Sequence, residues 1–247
     1  MEEAVLLMAK APVPGRVKTR LCPPLSPAEA ARLYSCMLQD TAEEIASLAG
    51  SGRYLFLDPQ GAADVLPEAP FSTFERFPQR GKDLGGKMAN AAATAFRRGA
   101  RRVVITGGDC PLLTANRLRQ AFRELREGAE AVFGPTADGG YYLVGLAGPG
   151  KELFRDIPWS TQEVLRKTAD RCRAAGIPFS FLPPLRDVDT GGDLRALADW
   201  AETHPGPGCP RTRRWISGFF GTAGGGSPGR RARTPGPPRD SRSRREG

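Results

Sequence analysis

The strongest candidate for chemistry in the sequence is GGDCP, residues 107–111, directly after the apolar run RVVIT. Two glycines let the chain turn sharply and a proline fixes its exit, so Asp109 is left at the tip of a predicted buried strand. A carboxylate there suits a hard cation such as Mg²⁺ or Mn²⁺, which prefers oxygen ligands and substrate phosphates. The alternative is an aspartate that caps the following turn, so a metal role needs a second ligand.

The segment LRDVDTGGDL, residues 185–194, can supply that ligand. Asp187 and Asp189 alternate along an extended segment and point to opposite sides, so at most one of them faces the metal. We choose Asp189, because the predicted helix cap Thr190 follows it directly. We expect Asp187 to carry a supporting or surface charge.

Four cations follow the first predicted strand, on a loop that prolines and a glycine stiffen; they are Lys10, Arg16, Lys18 and Arg20. Several cations on a constrained loop beyond a strand form a phosphate-binding cradle. The loop is not a Walker A motif, because GRVKT lacks its spacing and its second glycine. An ordinary solvated loop is the alternative.

Two further stretches are candidates for substrate contacts. Gln79, Gly81 and Asp83 lie in a glycine-rich turn before a helix, which suits base or ribose recognition, although Asp83 as a helix cap explains much of the pattern. Asp138 lies in the turn ADGGYY at a strand start, where a plain hairpin turn and a substrate contact are equally good interpretations.

Composition excludes several classes of enzyme. The chain has one histidine, His204, so a Ser-His-Asp triad, a Cys-His dyad and a histidine-ligated zinc site cannot be built in the body. Five cysteines without a CxxC pair argue for a reducing compartment and against disulfides or structural zinc. The N-terminus lacks the basic start of a signal peptide and no stretch is long enough to span a bilayer, so we expect a cytoplasmic protein without a membrane partner.

Short apolar runs alternate with amphipathic helices, which predicts an α/β fold with a mostly parallel sheet and helices on both faces. Capping boxes are predicted where Ser26, Ser160 and Thr190 begin helices. The pattern continues without an internal boundary, so residues 1–204 are predicted to form one domain. Ligands of such sheets lie beyond the carboxyl ends of the strands, which is where Asp109 is expected.

Residues 205–247 carry a net charge of +8, whereas residues 1–204 carry +1. This segment is rich in Pro, Gly, Ser and Arg, and such a composition cannot bury enough apolar surface to offset its ordering entropy. We therefore predict a disordered tail. We expect no specific nucleic-acid partner, and at most weak non-specific contact through the tail.

Taken together, KAPVPGRVKTRL, QRGKDLGGKM, GGDCPLLT, DGGYYLVGL, PWST and DVDTGGDL resemble the bacterial radical-SAM/selenodomain-associated transferase 1 family, over about residues 4–200. That family belongs to the GT-A-type nucleotide-diphospho-sugar transferases. The resemblance implies a single Rossmann-like GT-A domain, Mg²⁺ or Mn²⁺ on Asp109 and Asp189, and a nucleotide sugar held by the basic loop, with Gln79 and Gly81 against the base. The glycines of DVDTGGDL replace the commoner Pro-Glu or Pro-Asp.

The segment VKTRLCPPLSPAEAARLYSCML also resembles phospholactate guanylyltransferase. Two reactions therefore stay open: glycosyl transfer from a nucleotide sugar to a small acceptor, with Asp138 as the candidate base, and nucleotidyl transfer from an NTP with release of pyrophosphate. A third hypothesis is a non-catalytic nucleotide or RNA binder that acts through the tail. We rank it last, because paired carboxylates opposite a basic loop have no purpose in such a binder.

Overall fold

The computed structural model describes residues 2–59 and 65–223. Within these residues, seven strands form one sheet, in the spatial order β3-β2-β1-β4-β6-β5-β7. Only β6 runs antiparallel to its neighbours, so the sheet is mostly parallel, as predicted. The strands span Glu3–Lys10 (β1), Gly52–Asp58 (β2), Glu75–Pro78 (β3), Arg102–Gly107 (β4), Ala131–Pro135 (β5), Tyr141–Leu146 (β6) and Phe179–Phe181 (β7).

Helices cover both faces of this sheet. They span Pro27–Ala46 (α1), Glu68–Phe71 (α2, a single turn), Leu84–Arg97 (α3), Ala115–Arg126 (α4), Val164–Ala175 (α5), Gly191–Thr203 (α6) and Pro210–Ala223 (α7). Apolar residues of α1 and α4 pack on one face of the sheet, and those of α3 and α5 pack on the other. The α/β fold with two covered faces therefore confirms the prediction.

Local signals explain where most helices begin. Ser26 with Glu29 and Thr190 with Asp193 form the predicted capping boxes of α1 and α6. The capping box predicted at Ser160 is wrong: α5 begins later, at Val164, and Ser160 has a left-handed backbone with φ of 65°. The pattern Ser-x-x-Glu occurs there in the loop before the helix, so the motif by itself does not define a helix start.

The C-terminal segment differs from the prediction of a tail that is disordered from residue 205. Residues 210–223 form α7, which packs against α1 and α6 through Ile216. The physical reason is that α1 has a second apolar side, with Leu33 and Met37 facing away from the sheet, and α6 and α7 cover it. Residues 224–247 lie outside the described part of the chain.

Asp40 of α1 fixes the start of α7. Its side chain is 2% exposed and accepts hydrogen bonds from the backbone N–H groups of Arg211 (3.1 Å) and Thr212 (2.8 Å). Arg211 also pairs with Glu43, at 2.6 Å. Acidic side chains near a helix N-terminus accept from its unpaired N–H groups and interact favourably with the positive end of the helix dipole. Asp40 of α1 therefore caps α7.

The parallel strands β1, β2, β3, β4 and β5 all end at the same edge of the sheet. The loops that follow them, together with the segment before α6, form a crevice at this carboxyl edge. Among the described residues, none of the helices combines the length and the apolar character that a bilayer crossing requires.

Candidate functional site

Asp109 follows the tip of β4, and the chain bends at Gly108 and Asp109, as the sequence predicts. Neither Gly107 nor Gly108 has a left-handed backbone. A Cβ on Gly108 would lie 2.7 Å from a methyl carbon of Leu38, so this position is small because α1 passes close to it. The glycine therefore serves close packing of helix on strand and not a special turn conformation.

The two predicted metal ligands meet in space. The backbone N–H of Val188 donates to the carbonyl oxygen of Asp109 (3.0 Å), which holds the segment before α6 against the tip of β4. The carboxylates of Asp109 and Asp189 then both contact the same nitrogen, Nζ of Lys18, at 2.6 and 2.7 Å. Two carboxylates and one lysine from three distant parts of the chain thus form the centre of the crevice.

Lys18 is the buried member of this cluster. Its side chain is 5% exposed, its backbone is left-handed with φ of 49°, and its ammonium lies 5.9 Å from the ring centroid of Tyr34. Burial by itself lowers the pKa of Lys18, but Asp109 and Asp189 more than offset this and raise the pKa above its ordinary value. The ammonium is therefore charged, and a non-glycine residue in this conformation marks a locally constrained loop.

The other cations of the loop do not join the carboxylates. Lys10, Arg16 and Arg20 are exposed, whereas the side chain of Lys18 is buried between the two carboxylates. The backbone N–H of Lys10 donates to the hydroxyl of Tyr34 (3.1 Å), which ties the end of β1 to α1. Their arrangement leaves three cations available to an anionic ligand while Lys18 is engaged within the protein.

Gln79 has a structural contact that the sequence did not reveal. Its side-chain amide nitrogen donates to the carbonyl oxygens of Ala9 (2.8 Å) and Phe56 (3.0 Å), at the ends of β1 and β2. Both amide hydrogens are thereby used, and the amide oxygen is the group that Gln79 can offer to a base. Its role in base recognition stays a prediction.

Gly81 and Asp83 organise the start of α3. Gly81 has φ of 151°, and a Cβ there would lie 2.4 Å from the backbone nitrogen of Lys87, so only glycine fits. Asp83 caps the helix by accepting from the N–H of Gly86 (2.7 Å). The side chain of Lys87 reaches from α3 to Asp58 at the tip of β2, at 2.6 Å. This second lysine–aspartate pair lies one strand away from Lys18.

Asp138 forms the turn between β5 and β6. Its Oδ1 accepts from the hydroxyl of Thr136 (2.6 Å) and the N–H of Gly140 (3.0 Å), so the hairpin interpretation of this residue has direct structural support. Asp138 also acts electrostatically on Asp187, which places it beside the crevice.

Asp187 is the residue that sequence reasoning undervalued. Burial, followed by the negative charges of Asp138 and Asp189, raises the pKa of Asp187 to about 6. A surface charge would not titrate there, so Asp187 adds to the negative field of the crevice. No local pattern in the sequence indicates that Asp187 lies near Asp138.

The donor set at the centre suits a hard divalent cation. Asp109 and Asp189 present carboxylate oxygens to a common point, and such ions accept one or two protein carboxylates together with water and substrate phosphates. No cluster of three or more His, Cys, Asp or Glu side chains with metal-site geometry occurs within the described residues. Asp109 and Asp189 would hold such an ion as a pair of carboxylates, with its other positions left to water and substrate phosphates.

A cavity of about 270 Å³ lies elsewhere, between residues 111–114 and the ends of α6 and α7. Two charged side chains line it, and both have partners within the protein: Glu44 accepts from the N–H of Ala115, and Arg213 donates to three backbone carbonyls. The crevice at Asp109 combines charged groups from several loops, so its chemistry and not the size of a cavity identifies the candidate site.

Comparisons with known proteins agree with this fold. Residues 41–161 match the DUF2064 family, described as an uncharacterized protein conserved in bacteria. A search of curated proteins found no match. The chain is similar to a crystal structure from Desulfovibrio desulfuricans G20 that is described provisionally as a nucleotide-diphospho-sugar transferase. The identity is 30%, the TM-score is 0.76, and the match covers 89% of this chain and 99% of that one.

Two more distant structures share the fold. A cytidylyltransferase from Leptospira borgpetersenii serovar Hardjo-bovis has 14% identity and a TM-score of 0.54, with 90% of this chain and 96% of that one covered. A CMP:2-keto-3-deoxy-manno-octonic acid synthetase complexed with CTP has 13% identity and a TM-score of 0.53, with 83% and 100% covered. At these identities the likeness concerns the fold alone.

Proposed function

Since the chain belongs to the nucleotide-diphospho-sugar transferase superfamily, we propose that it is a metal-dependent glycosyltransferase that uses a nucleotide-sugar donor and a small acceptor. The convergence of Asp109 and Asp189 at the carboxyl edge of a mostly parallel sheet carries the proposal. Open α/β sheets bind their ligands at this edge, and two carboxylates with adjacent cations suit a nucleotide with its metal.

In this proposal the two carboxylates hold Mg²⁺ or Mn²⁺, which when bound neutralises the phosphates of the nucleotide. The exposed cations Lys10, Arg16 and Arg20 orient the diphosphate and stabilise the charge that develops as it departs. The turn of Gly81 and Asp83 positions the start of α3 beside the crevice, on the side assigned to the nucleoside.

Nucleotidyl transfer from an NTP to a phosphorylated acceptor, with release of pyrophosphate, is the second candidate. One observation favours it: Oδ1 of Asp138, the proposed acceptor base, already accepts two hydrogen bonds. Oδ1 is thereby committed to the turn between β5 and β6, which leaves one oxygen of this carboxylate to act on an acceptor. A phosphorylated acceptor is already nucleophilic and needs no strong base, and the same basic loop would then hold the β- and γ-phosphates.

The leaving product distinguishes these reactions. Purified protein is incubated with Mn²⁺ and either a panel of nucleotide sugars or the four NTPs, in the presence of candidate acceptors, and the products are separated by anion exchange. Nucleoside diphosphate indicates glycosyl transfer, and pyrophosphate indicates nucleotidyl transfer.

Asp109→Asn is the inactive variant of this experiment, and Asp170→Asn is its control, because Asp170 carries an exposed carboxylate on α5 that is engaged by surface arginines. Thermal unfolding with each ligand and Mn²⁺ gives an independent readout of binding. A protein that neither binds nor converts any of these ligands, or an Asp109→Asn variant with full activity, would contradict the proposal.

A further inference from the structure

We propose that Lys18 is a built-in cation that holds Asp109 and Asp189 together in the resting protein, and that a divalent metal binds only when it displaces this ammonium. The inference rests on the metal site of the proposed function. It adds a property that the superfamily does not imply: in this chain the metal and a lysine compete for one place.

Geometry supplies the first argument. Nζ of Lys18 lies 2.6 Å from Oδ1 of Asp109 and 2.7 Å from Oδ1 of Asp189, so it lies between the two carboxylates that would hold a metal. Mg²⁺ binds carboxylate oxygens at about 2.0–2.1 Å. An ammonium and a dication cannot occupy the same interval between two oxygens, so one of them has to leave.

Burial supplies the second argument. The Lys18 side chain is 5% exposed, whereas the carboxylates of Asp109 and Asp189 are 54% and 38% exposed. The carboxylates are therefore open to solvent on the side away from the lysine, and an incoming ion approaches from there. Lys18 lies on the protein side, with its ammonium 5.9 Å from the ring centroid of Tyr34.

Charge supplies the third argument. Without a cation between them, two carboxylates that point at one place repel each other, and Asp187 adds a further negative charge nearby. Lys18 removes most of this repulsion in the absence of a metal. A metal that displaces Lys18 also breaks the attraction between the ammonium and the two carboxylates, so the protein without a nucleotide has a weak affinity for a bare metal ion. A nucleotide offers the displaced ammonium a new anionic partner.

The experiment measures Mn²⁺ binding without any nucleotide, by titration with electron paramagnetic resonance detection of free Mn²⁺, on the full chain. Lys18→Met keeps the length and the apolar stem of the side chain but removes its charge. We expect this variant to bind Mn²⁺ at least tenfold more tightly than the wild type. Adding Asp109→Asn to it should abolish the gain, because the gain requires both carboxylates.

Lys87→Met is the matched control. Lys87 forms a comparable contact, 2.6 Å from Asp58 at the neighbouring strand tip, but it neutralises a single carboxylate. One carboxylate is a poor chelate, so this variant should bind Mn²⁺ as weakly as the wild type. An equal gain in both lysine variants would mean that loss of positive charge anywhere is sufficient, and it would overturn the proposal.

Lys18→Gln protects the test against a folding failure of Lys18→Met. Glutamine keeps an N–H donor for the carboxylates without the charge, and it should also bind Mn²⁺ more tightly than the wild type. Circular dichroism establishes that each variant is folded before the titration. Folded variants at position 18 with wild-type Mn²⁺ affinity would overturn the proposal.

The outcome is separable from the proposed function. A failure of the lysine inference leaves the wild-type product assay with nucleotide sugars and NTPs unaffected. Conversely, a tight metal site in Lys18→Met would stand even if the protein converted none of these donors.

Discussion

Two lysine–aspartate contacts lie one strand apart at the carboxyl edge of the sheet, and they differ in stoichiometry. Lys18 lies in the loop after β1 and contacts both Asp109, which follows β4, and Asp189, which follows β7. Lys87 of α3 pairs with Asp58 of β2 alone. The first contact leaves a net negative charge, which attracts a cation, whereas the second is neutral and ties a helix to a strand. The contact whose charges do not balance is the one at which we propose the metal site.

We call Lys18, Asp109 and Asp189 the unbalanced cluster, and Lys87 with Asp58 the balanced pair. The largest effect is expected when the unbalanced cluster loses a carboxylate. Asp109→Asn or Asp189→Asn should lower turnover by at least about 100-fold and remove the Mn²⁺-dependent rise in Tm that is measured in the presence of nucleotide, because one carboxylate cannot replace the pair. Asp58→Asn changes the balanced pair in the same way and should retain the Mn²⁺-dependent rise. Steady-state kinetics and thermal unfolding test this, and loss of the rise in Asp58→Asn would remove the distinction between the two contacts.

The region of the balanced pair should instead be sensitive to backbone geometry. Gly81→Ala places a Cβ against the backbone of α3 at a φ of 151°, and it should cost about 2–3 kcal/mol of stability. Gly86→Ala is the control, because its Cβ would lie at ordinary contact distances, 3.4 Å or more, from Asp83 and Gly81 before the helix, and alanine there should be neutral or stabilising by up to about 1 kcal/mol. Urea denaturation measures both, and equal effects would contradict the close approach at Gly81.

Gln79 tests whether this region is structural or also recognises the base. Gln79→Glu cannot donate to the carbonyls of Ala9 and Phe56, so it should cost about 1–3 kcal/mol. Gln120→Glu is the control, since Gln120 accepts a hydrogen bond from Arg117 and glutamate still can. If Gln79→Glu retains wild-type stability in urea but loses nucleotide affinity, base recognition and not strand bridging is its main role.

The smallest effect concerns the negative field around the unbalanced cluster. The pKa of Asp187 is raised to about 6 in the folded protein, above its ordinary value of 3.8, so the folded state holds the proton more tightly than the unfolded state. This contribution to stability is present below pH 4 and is lost as the pH rises through 6. Asp187→Asn should therefore be more stable than the wild type at pH 7.5, by about 1 kcal/mol, and not at pH 4.

Denaturation curves at the two pH values, recorded with a chelator so that no metal contributes, measure this effect. Asp170→Asn removes one carboxylate from the surface of α5, so a change that both variants share would reflect net charge and not the surroundings of Asp187. A wild type whose stability rises between pH 4 and 7.5 relative to Asp187→Asn would show that Asp187 is stabilised as an anion, and the field at the crevice would then be less negative than inferred.

Local sequence signals determined much of this protein. Alternating apolar runs and amphipathic stretches predicted a mostly parallel sheet with covered faces, and Ser26, Asp83 and Thr190 identified three helix starts, because periodicity and capping depend on neighbours in the chain. The apolar run RVVIT likewise predicted that Asp109 lies just beyond the end of a strand. Where such signals conflict with packing they fail, as at Ser160 and in α7, whose order depends on the outer side of α1.

The tertiary structure decided which of these residues meet. Lys18 and Asp189 are 171 residues apart, and the sequence assigned one to phosphate and the other to metal without indicating that they touch. Their contact depends on the hydrogen bond from Val188 to Asp109 and on the left-handed backbone of Lys18, which no local pattern encodes. Residue types and periodicity thus supplied the groups, whereas long-range packing of loops on one sheet edge determined their partners and the charge that remains unpaired.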